Sequence, residues 1–169
     1  MSASVIRFFF SVVGIALGGV FVYAGVQKHL APYEFAEAVL AYQLLPSSLV
    51  GLVAATLPGV ELVSGFFLIL GYLLRSRRVA NPFPVGSILR RGALLLILGQ
   101  SVLFVAVLLI TMARGLKIDC GCGLFFQRQV GPAAIMEDAL LLGVAGWLYW
   151  RECKAGGLEK GSLIPVQSK

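Results

Sequence analysis

Charged residues are scarce in this sequence, making up only 13% of its 169 residues against 59% hydrophobic, with a mean hydropathy of +0.91. A soluble domain of this length needs polar side chains on every outward face. Long stretches here offer none, which excludes water as the main solvent. Lipid must cover those faces. The apolar stretches also lack a period-two alternation of polar and apolar residues, which argues against a lipid-facing β-barrel. Aromatics are nowhere interleaved with basic residues, so the net charge of +6 does not read as a surface for nucleic acid. Histidine occurs once and cysteine three times, a weak basis for a metal centre. The internal inverted repeat of many transporters is missing as well.

What the chain does contain is four long apolar runs. A spanning helix needs roughly 20 such residues, at about 1.5 Å each, to cross about 30 Å of hydrocarbon. Runs over 5–26, 48–74, 92–113 and 132–150 meet that test. They predict an all-α integral membrane four-helix bundle, a single membrane domain over 1–169. The first run is too long for a signal peptide, and no small-x-small cleavage site stands clearly before Gln27, so it is expected to remain as a helix. Gly14 and Gly18, one helical turn apart, favour close contact with a neighbouring helix.

Lys and Arg asymmetry orients the bundle. Ten of the 14 basic residues fall on one side when the connection holding Arg75, Arg77, Arg78, Arg90 and Arg91 is placed in the cytoplasm with Arg7 and the tail 151–169. Lys28, Arg114, Lys117 and Arg128 remain outside. The expected location is a bacterial inner membrane, with both termini cytoplasmic and two connections facing the periplasm.

Those two connections differ. In the first, Phe35, Val39 and Tyr42 share one helical face while Glu34 and Glu37 lie off it, and Pro46 ends the stretch. This predicts an interfacial helix over about 33–45, either simply packed or acting as a lid. The second, 114–131, reads RGLKIDCGCGLFFQRQVG. Its Cys120 and Cys122 flank one glycine. A disulfide across one residue closes a small strained ring, and strain makes it more oxidising. As a static staple it would constrain little chain entropy. Lys117 favours a thiolate there and Asp119 opposes it. Two buried thiols, or a metal held by Cys120, Cys122 and His29, are the alternatives. Cys153 falls at the opposite, cytoplasmic end.

Ionisable residues inside a span are the next candidates. Glu61, in LPGVEL, should face the bundle. It could take a proton released by thiol oxidation, hydrogen-bond a quinone head group, or serve packing alone. Asp138, with Glu137, opens the fourth helix, where a carboxylate also complements the helix dipole. Lys28, at the end of the first span, either snorkels to the head groups or pairs with Glu61 or Asp138.

The run AGVQKHLAPYEFAEAVLAYQLLP, then LPGVELVSGFFLILG, then KIDCGCG resembles the MauE family of methylamine-utilisation membrane proteins and its DoxX relatives. The resemblance covers about 23–138. It implies a four-helix membrane bundle engaged in periplasmic thiol redox work, with a thioredoxin-like or other secreted thiol protein as partner and, in some relatives, quinone as electron acceptor. It carries the family's cysteine pair onto Cys120 and Cys122, its second-helix glutamate onto Glu61, its first-helix lysine onto Lys28 and its last-helix acid onto Asp138. Two departures stand out: Gly123 is followed by Leu124, Phe125 and Phe126 where the family reads CGCFG, and Glu137 replaces an arginine before the acid. The leading expectation is a thiol-disulfide, quinone-linked oxidoreductase. A non-catalytic subunit or assembly factor of a larger membrane complex, and a metal or small-solute carrier, are the rivals.

Overall fold

The computed structural model describes residues 3–76, 85–116, 118 and 130–161. These form five helices and no strand: α1 (Ala3–Leu30), α2 (Pro32–Ala41), α3 (Ser47–Ser76), α4 (Val85–Ala113) and α5 (Pro132–Gly161). Four are long and apolar enough to cross a membrane, over Val5–Leu30, Ser47–Leu74, Val85–Ala113 and Pro132–Lys154. The protein is an all-α, multi-pass membrane protein. Helices suit this sequence because lipid offers no partner for backbone N–H and C=O groups, and a helix satisfies them within its own segment. Phe8, Leu52, Val102 and Leu140 lie on outward faces, more than half exposed, where only a bilayer can shield them.

Three boundaries differ from the hydropathy reading. Helix α4 starts at Val85 rather than at 92, so Arg90 and Arg91 belong to the helix and not to a solvated connection. Arginine is a good helix former, and a hydropathy window ends at charge whether or not the helix does. Here the charge is matched. Arg90 is buried, donating from Nη1 to the Gly71 carbonyl at 2.9 Å and from Nη2 to Glu152 Oε2 at 3.0 Å, while Arg91 Nη2 reaches the Glu152 carbonyl at 2.8 Å. Helix α5 runs on past 150 to Gly161. Helix α2 opens with Pro32 in its first turn, where a missing N–H is harmless. It stops at Ala41 instead of 45, because Gln43 takes a left-handed φ of 52° that turns the chain toward α3.

Helix α1 packs chiefly on α3, α3 on α4 and α4 on α5, whereas α1 and α5 share only a small contact, in which the Phe10 ring lies 4.7 Å from Trp147. The α1–α3 crossing is the tightest. A Cβ on Gly65 would sit 2.5 Å from the Gly18 carbonyl oxygen, and one on Gly18 would sit 2.8 Å from that of Gly65. Gly14 faces the Tyr72 ring just as closely. Small residues let these backbones meet, as expected from their spacing. Around that crossing Leu17, Phe21, Leu68, Tyr72, Leu94, Ile97 and Leu148 form a continuous core. It fills the half of the bundle nearer the chain termini. Toward the α2 end this packing gives way to a chamber.

Gly65→Leu should lower stability by about 1–3 kcal/mol, the usual cost of overpacking, read from denaturant unfolding in mixed micelles. A variant as stable as the parent would contradict this crossing.

Candidate functional site

The chamber holds about 500 Å³ and draws its walls from all five helices. Most of the lining is apolar. Helix α2 contributes Phe35 and Val39, followed by Tyr42, so the apolar face seen in the sequence covers the chamber. The polar lining includes Lys28, Glu61, Ser101 and Asp138.

Lys28 comes from the last turn of α1 and is only 6% exposed; Glu61, on α3, is 1% exposed. The lysine Nζ donates to both carboxylate oxygens, at 2.7 Å to Oε1 and 2.8 Å to Oε2. It also lies 5.5 Å from the Phe35 ring centroid and 5.6 Å from that of Phe104, close enough for cation–π attraction. Lys28 therefore does not snorkel. A lone ammonium or carboxylate at this depth would be strongly unfavourable, and the two offset one another only as a pair. Pro58, one turn before Glu61, lacks the N–H that the Ala54 carbonyl would otherwise accept. On the other side of Glu61, Ser64 Oγ donates to the Glu61 carbonyl at 3.1 Å and accepts from Gln100 Nε2 at 3.0 Å, which ties α3 to α4.

Asp138 completes the polar set. It is 6% exposed, and its Oδ2 has no hydrogen-bond partner among the described residues. Such an orphan calls for an explanation. Burial, together with the charge of Asp138, pushes the Tyr42 phenol up to about 12, so Tyr42 stays an O–H donor at physiological pH.

A family model described as "Methylamine utilisation protein MauE" matches residues 6–151. The chain belongs to the MauE family. No curated protein and no solved structure matches it. The matched stretch of this MauE-family protein contains the chamber's charged residues and the connection bearing Cys120 and Cys122.

Cys120, Cys122, Lys117 and Asp119 lie outside the described residues, but both stems of their connection are in view. Val130 N–H donates to the Ile118 carbonyl at 2.7 Å, and Val130 packs with Tyr42 and Ile135 on Leu108 and Ala134. Arg114 Nη1 donates to the Tyr42 and Gln43 carbonyls at 3.1 and 3.3 Å, holding the start of the connection against the turn after α2.

Other sequence-predicted residues fall differently. Helix α5 begins at Pro132 with no acid in its first turn, so the dipole, which acts within that turn, does not account for Asp138 or Glu137. Asp138 turns inward instead. His29 is exposed, its Nδ1 lying 3.1 Å from the Gly25 carbonyl. Cys153 is exposed on α5 at the end of the bundle away from α2. Sequence reasoning passed over Ser64, Gln100 and Ser101. Gln100 had a visible signal, being a polar side chain amid LLLILGQSVLFV.

Lys28→Met or Glu61→Leu alone strands a buried charge and should lower stability by about 3–5 kcal/mol, whereas the two combined should recover most of that loss. Additive losses in the same unfolding assay would rule out a direct pair.

Proposed function

We propose that this MauE-family protein is a thiol-disulfide redox protein of a bacterial inner membrane, with both termini in the cytoplasm and the Cys120–Cys122 pair facing the periplasm. The observation that supports it is the seating of the cysteine-bearing connection. Its stems close on each other and rest against the turn after α2, beside the chamber lined by Lys28, Glu61 and Asp138. Two cysteines on an outward connection are exposed to an oxidising compartment, where disulfides persist.

The exchange proceeds through a mixed disulfide. A thiolate of a thioredoxin-like or other secreted protein attacks one sulfur of the Cys120–Cys122 disulfide and releases the other as thiolate. A second thiolate of the partner then displaces the remaining sulfur, so the partner leaves oxidised and the pair is left as a dithiol. Reoxidation removes two electrons and two protons, which pass to an acceptor in the membrane, a quinone by chemical class. The chamber's carboxylates, Glu61 and Asp138, are suited to carry the protons.

A membrane-impermeant thiol reagent applied from the periplasmic side should label Cys120 and Cys122 only after reduction, and Cys120→Ser or Cys122→Ser should capture the partner as a mixed disulfide. Cysteines that never change redox state, or that react only from the cytoplasm, would overturn this reading.

A further inference from the structure

We infer that the chamber is the binding site of the acceptor itself: a lipid-soluble quinone whose ring oxygens engage Lys28 and Asp138 and whose tail leaves toward the bilayer along α4. This inference rests on the thiol-redox reading for the direction of electron flow, but the binding site stands on geometry of its own.

The first ground is size and lining. A cavity of about 500 Å³, mostly apolar with a few convergent polar groups, is the usual form of a small-molecule site. The second is depth. Phe21, Glu61, Ser101 and Leu141 line it, and all lie within membrane-spanning segments, so the ligand must partition into lipid. The third is a way in. Leu103 and Ile110 belong to the lining yet are 52% and 47% exposed, which carries the chamber wall out to the lipid-facing side of α4.

The polar groups fit the head. An ammonium carries three N–H donors, and Lys28 gives one to each oxygen of Glu61, leaving a donor for a ring carbonyl. Asp138, buried with an unpartnered Oδ2, fits the other ring oxygen, donating to it when protonated and accepting from the quinol hydroxyl when ionised. Phe35 and Phe104, already beside Lys28, offer faces for the ring. The reaction balances. The two S–H bonds of Cys120 and Cys122 break and one S–S bond forms; two electrons and two protons move to the quinone, and its two carbonyls become hydroxyls.

The test uses the full chain in lipid nanodiscs, a short-tailed quinone analogue and its photoreactive derivative. The analogue should bind saturably, and the derivative should label α3 and α4 residues that line the chamber. Val107→Trp, which fills the chamber, and Asp138→Leu, which removes a partner, should each weaken binding by about tenfold or more. Asp138→Asn keeps the shape and should bind nearly as well, but should slow quinone-dependent thiol oxidation, a split that a purely structural role for Asp138 would not produce. The Cys120→Ser, Cys122→Ser double variant should bind the analogue normally. Binding that is absent, unaffected by both Val107→Trp and Asp138→Leu, or unable to displace copurifying phospholipid from the chamber would overturn the inference. Cysteines that cycle with a partner in a chain that binds no quinone would refute this site and leave the thiol reading standing. Normal chamber binding with redox-inert cysteines would do the reverse.

Discussion

A lysine and a glutamate held 2.7 Å apart inside an apolar bundle set the terms for the surrounding half of the molecule. Neither charge is tolerable there alone, so α1 and α3 must keep the rotation and depth that join them. That requirement extends further through Ser64 and Gln100 to α4 and through Phe35 to α2. The close Gly18–Gly65 crossing serves the same constraint, because only small residues bring the two helices near enough. What results is a chamber in which Lys28 and Glu61 hold one another beside the rings of Phe35 and Phe104.

The opposite end uses similar chemistry for a different purpose. Arg90 spans from α4 to the Gly71 carbonyl and to Glu152, with the Tyr72 ring 5.5 Å away, joining α3, α4 and α5 above the solid core. None of these groups lines the chamber near α2. Charge there ties helices together, whereas near α2 it lines a space. The bundle is thus packed at one end and hollow at the other, and the cysteine-bearing connection is rooted at the hollow end.

Much of the fold was legible in the sequence, since hydropathy and length specify spanning helices almost without reference to tertiary structure. The start of α4 was not, because Arg90 counts as a loop charge until its partner Glu152, far along the chain, is known. The candidate site was legible residue by residue. Lys28, Glu61 and Asp138 could each be singled out as intramembrane ionisable groups, but their grouping depends on how three helices are rotated, which a single sequence does not encode in any local pattern. Asp138 illustrates the limit: the helix dipole was a sufficient explanation on paper, although the run expected from 132 already left Asp138 beyond the first turn, and α5 does begin at Pro132 with no acid there. Phe35, Val39 and Tyr42 show the opposite case, a face that period alone picked out as apolar and that the structure turns toward the chamber.

The stems of the cysteine-bearing connection are rooted beside a charged chamber whose wall reaches the lipid-facing side of α4. All of this depends on the Lys28–Glu61 contact existing in a bilayer. Solid-state NMR of the protein in lipid, with 15N at lysine Nζ and 13C at the glutamate carboxyl, measures it directly. Contact at the 2.7 and 2.8 Å found here predicts strong dipolar coupling between Lys28 and Glu61 that vanishes in Glu61→Gln lacking the labelled carboxyl. Absence of that coupling in the parent protein would contradict the account.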